Sequence, residues 1–85
     1  MSTTRDRVDA AIGQGLENAL PELDQPDRDA VLTSDIGLDS VQIMNLVMEI
    51  EDELDISIPV DVLAETRTLN QVAERLTRMI DGDQA

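Results

Sequence analysis

The chain has 85 residues, enough for one small domain that buries roughly 60% of its unfolded surface, and too few to enclose a deep enzyme cleft. It contains no aromatic residue, no cysteine and no histidine, which excludes disulfides, thiol nucleophiles, imidazole bases and the usual zinc and haem ligands. Six arginines stand against 19 acidic residues, a formal net charge of −13, so nucleic-acid phosphates should repel the chain and its partners should present basic surfaces. No run approaches the ~20 apolar residues of a membrane span, and the polar start through Asp6 has no signal-peptide apolar region; a cytoplasmic protein without membrane insertion is expected.

Periodicity is helical throughout, with no sustained two-residue alternation, so an all-α fold is expected over a single domain, 1–85, with an ordered core of about 4–80. The first helix places Val8, Ala11, Ile12, Leu16, Ala19 and Leu20 at three- and four-residue steps, with Thr3 or Thr4 as cap and Asp6 near the positive end of the dipole. Pro21 should end it. Gly13 and Gly15 each cost roughly 1 kcal/mol relative to alanine, so tertiary packing must hold this helix. Residues 21–38 read as a long connection with one helical turn near Arg28 to Leu32. A second helix should begin at Asp39 or Ser40, with Asp39 and Gln42 spaced as a capping box, and run to Leu54. Pro59 suits the first position of a short third helix ending at Ala64 or Glu65. Thr68 and Gln71 form another capping-box pair ahead of a fourth helix from Leu69 to about Ile80, with apolar residues Leu69, Val72, Ala73, Leu76, Met79 and Ile80 and a stop at Asp81-Gly82.

The second helix carries two apolar faces. Ile43, Leu46, Val47, Ile50 and Leu54 cluster on one side as a buried stripe. Val41, Met44 and Met48 fall on roughly the opposite side, with Asn45, Glu51 and Asp52 nearby. These residues either meet neighbours on both sides of a central helix or form a docking strip rimmed by carboxylates, for which methionine's adaptable shape is suited.

A serine that begins a helix is ordinarily a surface hydroxyl assisting the terminus. Here, however, the run DIGLDSVQIMNLVMEIEDELDISIP, residues 35–59, closely resembles the signature of acyl carrier proteins: an Asp-Ser pair, an apolar next residue, an acidic helix and an Ile-x-Ile-Pro exit. The resemblance continues through Thr66 to Leu76. It implies a four-helix bundle with three longer helices, a short third helix and a long loop between the first two. It also implies that a phosphopantetheinyl transferase moves 4'-phosphopantetheine from coenzyme A onto the Ser40 hydroxyl, and that acyl groups ride on the arm's thiol to acyl-loading and acyl-accepting enzymes with basic docking surfaces. The chain would then be a carrier and not an enzyme, with no metal site and nothing requiring self-association, hence a monomer. By the same resemblance Asp39, Val41, Met44, Asn45, Met48, Glu51 and Asp52 would bind partners. Leu46, Val47, Ile50, Leu54, Ile58, Leu63, Leu69, Val72 and Leu76 would form the core and shelter an acyl chain.

Asp39 as a general base for Ser40 fails, because no histidine or lysine completes a nucleophile constellation. Gln42 and Asn45 stand where many fatty-acid-synthesis carriers have acidic residues, while Val60 and Val62 make the third helix less acidic than usual. If exposed, these positions favour a dedicated partner. The stretch Met44 to Asp52 with Pro59 to Leu63 resembles specialised bacterial carriers associated with serine palmitoyltransferase and sphingolipid synthesis. The competing class is an unmodified acidic helical interaction module that regulates a basic partner and binds it without Ser40.

Overall fold

The computed structural model describes residues 3–24 and 26–82; Met1, Ser2, Gln25 and residues 83–85, which include both ends of the expected 1–85 domain, lie outside the described residues. Helix α1, Thr4–Ala19, starts at a complete capping box: the Thr3 hydroxyl accepts from the Asp6 amide at 3.1 Å, and the Asp6 carboxylate accepts from the Thr3 amide at 3.2 Å. Leu20 closes it one residue before Pro21, where the ring disfavours a helical predecessor. Val8, Ala11, Ile12, Leu16 and Leu20 are buried, as their spacing predicts. Gly15 gives α1 its close approach to the next helix, since a Cβ there would stand 3.2 Å from Leu46 Cδ1 and 3.3 Å from Ile50 Cγ1.

The long connection differs from expectation. Its helical turn is a π-helical one over Leu32–Ile36, displaced from the Arg28 to Leu32 region. The Asp35 carboxylate accepts from the Val31 amide at 2.9 Å, and Gly37, with φ 87°, takes the left-handed conformation that ends the turn. Leu38 then returns its amide to the Leu32 carbonyl at 2.9 Å, and both leucines enter the core. Such a turn has no periodic signature, because it contains only two apolar residues, Leu32, which is buried, and Ile36, which is half-buried. An isolated antiparallel bridge between Val31 and Thr68, with the Leu32 amide donating to the Arg67 carbonyl at 2.9 Å, ties this turn to the start of the last helix.

Helix α2, Ser40–Leu54, α3, Val60–Glu65, and α4, Leu69–Asp81, follow. α1 packs along both α2 and α4, and α3 lies against α4. The described residues are thus all-helical apart from that one bridge, in the expected order of three longer helices and a short third. Pro59 caps α3 from the position just before its first residue, its extended backbone lying outside the helix. The Thr68–Gln71 box is half formed: the Thr68 hydroxyl accepts from the Gln71 amide at 3.1 Å, but the Gln71 side chain accepts from Arg67, one residue earlier than the pattern predicts. The interior is aliphatic, and Met79 and Ile80 pack half-buried against it.

A polar cluster anchors the loop to the bundle. Asp9 accepts from Arg5 at 3.1 Å and from Arg28 at 3.4 Å, while Asn70 takes a hydrogen bond from Arg5 and its amide donates to the Arg28 carbonyl at 3.0 Å. The Asp9 carboxylate offsets the mutual repulsion of Arg5 and Arg28, and these bonds hold residue 28 to α1 and α4.

Candidate functional site

The N-terminus of α2 forms where Asp39 caps it. The Asp39 carboxylate accepts from the Gln42 amide at 2.8 Å, and the Gln42 side chain accepts from the Asp39 amide at 3.0 Å. This is the reciprocal box that their three-residue spacing predicts. One oxygen of the Asp39 carboxylate is thereby held at the cap. Ser40 follows at the first helical position and is exposed. The first intrahelical-type acceptor, the Asp39 carbonyl, takes the Ile43 amide at 3.0 Å. The amides of Ser40 and Val41 therefore precede the bonded ladder and face the helix end, where the dipole is positive. A phosphodiester on the Ser40 hydroxyl fits this setting: the residue is exposed, and the helix end favours an anion.

Beyond Ser40, Val41, Met44 and Met48 are 67%, 46% and 56% exposed, and Asn45 is exposed beside them. Among the described residues no helix covers this face, so Val41, Met44 and Met48 are not packed against a neighbour on a second side. Val60, 74% exposed at the start of α3, is a further uncovered apolar residue. Val62 is not exposed: it is 1% accessible and belongs to the core, because the short α3 must turn one face inward to be held at all. From Ser40 to Met48 the helix carries no charge, and its acids are confined to Glu49, Glu51, Asp52 and Glu53, with Asp55 at its end. Among the described residues the ion pairs are Arg5 and Arg28 with Asp9, and Arg75 with Glu65, so none neutralises α2.

Glu51 stands apart from the other docking candidates. It is half-buried, its carboxylate accepts from the Ile58 amide at 2.7 Å, and its carbonyl accepts from Ile56 at 3.2 Å and from Asp55, which ends the helix in the left-handed conformation at φ 55°. It organises the exit of α2. Asp52 and Asp39 remain exposed.

Of the interior candidates, Leu46, Val47, Ile50, Leu54, Ile58, Leu69, Val72 and Leu76 are buried, whereas Leu63 is only half-buried. Leu63 and Val72 line a cavity of about 310 Å³ together with Leu32, Ile43 and, at its polar side, Thr33 and Arg67. Ile43 lies one turn from Ser40, so the cavity adjoins the start of α2. Leu32 and Thr33 escape sequence reasoning because they sit in the aperiodic turn. Ile43 reads from sequence as core, and its half-burial at the rim follows from its place at the first turn of the helix.

Comparison with known proteins bears on this arrangement. The family model described as "Phosphopantetheine attachment site" matches residues 7–76, from within α1 to the middle of α4. The chain is 32% identical over 74 residues to a "Probable acyl carrier protein" of Caulobacter vibrioides (strain NA1000 / CB15N), covering 87% of this chain and 86% of that one. It is also 38% identical over 52 residues to an "Acyl carrier protein" of Amoebophilus asiaticus (strain 5a2), covering 61% of this chain and 65% of the relative. A capped serine at a helix N-terminus, an all-helical bundle and a match across most of the chain agree, and the chain belongs to the acyl carrier proteins, the non-enzymatic carriers that use phosphopantetheine.

Proposed function

We propose that Ser40 carries the 4'-phosphopantetheine arm and that the protein delivers acyl groups to biosynthetic enzymes. The observation that carries this reading is the exposed Ser40 hydroxyl at the first position of α2, directly behind the Asp39 cap. The arm supplies a terminal thiol on which an acyl group is held as a thioester. The chain's own part is to present the serine oxygen, favour a phosphate there with the helix end, and offer a surface by which partners find it.

That surface is Val41, Met44, Asn45 and Met48, continued toward Asp52, with Asp39 at the serine and Glu51 beneath. An uncharged strip followed by unpaired carboxylates suits partners with an apolar dimple beside Ser40 and cationic side chains farther along the helix. The transferase and the acyl-handling enzymes are its occupants. The cavity between the 32–36 turn and α3 adjoins Ile43, and the buried aliphatic residues behind it would part to shelter an acyl chain. No helix among the described residues is long and apolar enough to cross a membrane. As a carrier that serves biosynthetic enzymes, the protein is proposed to act as a monomer in the cytoplasm.

The missing charge in the first turns of α2 and the exposed Val60 favour a dedicated partner over the general fatty-acid machinery. We assign that partner as a condensing enzyme that releases a long acyl chain onto an amino acid, as in sphingolipid synthesis. Turnover with the loaded carrier should exceed turnover with free acyl-coenzyme A; equal turnover removes the assignment.

The attachment is tested by intact mass. Wild type and Ser40→Ala are incubated with coenzyme A, Mg²⁺ and a broad-specificity phosphopantetheinyl transferase. Gain of one arm by wild type alone is expected. No gain with several transferases would leave Ser40 a helix cap and favour an unmodified interaction module.

A further inference from the structure

The chain has no Cys, Trp, Tyr, Phe or His, so the thioethers of its methionines are the side chains most readily oxidised. Their placement is uneven. Met44 and Met48 stand one turn apart on the uncovered strip of α2, about half exposed, whereas Met79 is half-buried and packed against the core. Met44 and Met48 also lie one and two turns beyond Ser40, on the face that Val41 begins.

We propose that Met44 and Met48 form a peroxide-oxidation site whose conversion to sulfoxide switches off docking at Ser40. The inference rests on the reading of this strip as the docking surface. A sulfur lone pair attacks the distal oxygen of a hydroperoxide; the O–O bond breaks, an S–O bond forms, and the transferred hydroxyl's proton passes to the departing oxygen, giving water or an alcohol. Sulfur loses two electrons and the peroxide gains them. Each sulfoxide places a strong acceptor in an otherwise uncharged strip whose neighbour Val41 has only an apolar side chain. A partner whose apolar dimple covers the methionines must bury that oxygen against hydrocarbon, with Asn45 the polar side chain among the strip residues Val41, Met44, Asn45 and Met48. Because methionine sulfoxide is enzymatically reducible, the change is reversible.

The test uses the full chain before arm attachment, so that no arm thiol competes for oxidant. The protein is treated with graded hydrogen peroxide, oxygen incorporation is mapped by peptide mass, and the rate of arm transfer from coenzyme A by the transferase is measured before and after. Met44 and Met48 should gain oxygen ahead of Met79, and kcat/KM for transfer should fall about tenfold while the melting curve still shows a folded bundle. A Met44→Leu, Met48→Leu variant should keep its own untreated rate after peroxide, and methionine sulfoxide reductases should restore the wild-type rate. Oxidation of Met79 as fast as the pair, an unchanged rate for the oxidised wild type, or equal loss in the leucine variant would overturn the proposal. Failure of the untreated wild type to accept an arm would instead overturn the carrier reading, and this inference with it.

Discussion

The Glu51 carboxylate holds the Ile58 amide at 2.7 Å, while Asp52, its neighbour in sequence, is exposed and takes part in no ion pair among the described residues. If the acidic end of α2 is the docking surface proposed above, the two acids separate folding from recognition. Glu51→Ala leaves a partly buried amide without its charged acceptor and should lower stability by about 1–3 kcal/mol in urea titrations, whereas Asp52→Ala should stay within about 0.5 kcal/mol. A reduced partner affinity in Glu51→Ala then has to be corrected for unfolding; in Asp52→Ala it does not. Asp39 allows a similar separation. Asp39→Ala removes the acceptor of the Gln42 amide and should cost about 1 kcal/mol, while Asp39→Asn keeps a capping oxygen and should cost far less. If arm transfer slows equally in both variants, the charge matters to recognition; if it slows only in the alanine variant, the cap does. At this scale the sequence was legible where chemistry is local. The Asp39–Gln42 box could be read from spacing, but Val60 and Val62, two residues apart on a short helix, could not be divided into exposed and buried without knowing which face of α3 meets the bundle.

Helix α1 contains two glycines that composition treats alike and packing treats differently. A Cβ at Gly13 would meet Arg28 Nη2 at 3.6 Å, an ordinary contact, whereas one at Gly15 would stand within 3.4 Å of Leu46, Glu49 and Ile50. Gly13→Ala should therefore raise stability by about 0.5–1 kcal/mol through helix propensity. Gly15→Val, which adds methyl groups to an already tight seam, should lower it by about 1–3 kcal/mol, both read as shifts in the urea midpoint at constant slope. The opposite signs would show that α1 and α2 meet at Gly15. Helix α3, with Val62 as its one buried residue, is marked by Pro59, whereas α1, α2 and α4 follow from periodicity and caps, because each buries a stripe that repeats every three or four residues. The 32–36 turn does not, since its order depends on Asp35 reaching Val31, on Gly37 at positive φ and on a bridge to Thr68, a residue far along the chain. Leu38 had a readable trace: it precedes the Asp39 cap and stands five residues before Ile43, the spacing of a hydrophobic staple.

Across the whole molecule, a net charge of −13 is spread over 85 residues, and the arginines that form ion pairs serve Asp9 and Glu65. The carboxylates from Glu49 to Asp55 crowd the last turns of α2 with no arginine among them in sequence, so the folded state concentrates repulsion that the unfolded chain relieves by expanding. Added salt acts on both sides of this balance. It weakens the three pairs, which are partly exposed and contribute about 0.2–1 kcal/mol each, and it screens the larger number of like-charge contacts. Screening should prevail, because the unpaired acids far outnumber the paired ones. Between about 0.01 M and 0.1 M sodium chloride the Debye length falls from about 30 Å to about 10 Å, so the change is felt between helices as well as within them. The melting temperature should rise over that range, by about 4–8 °C for each 1 kcal/mol gained in a domain of this size. Chloride is the appropriate anion, since sulfate would stabilise by exclusion from the surface whatever the charge. An Asp52→Asn, Glu53→Gln variant, with two charges fewer on the uncovered end of α2, should start with a higher melting temperature at low salt and show a shallower rise. A flat response in wild type would mean that the ion pairs and the repulsion cancel; an unchanged slope in the variant would place the repulsion elsewhere than along the acidic end of α2.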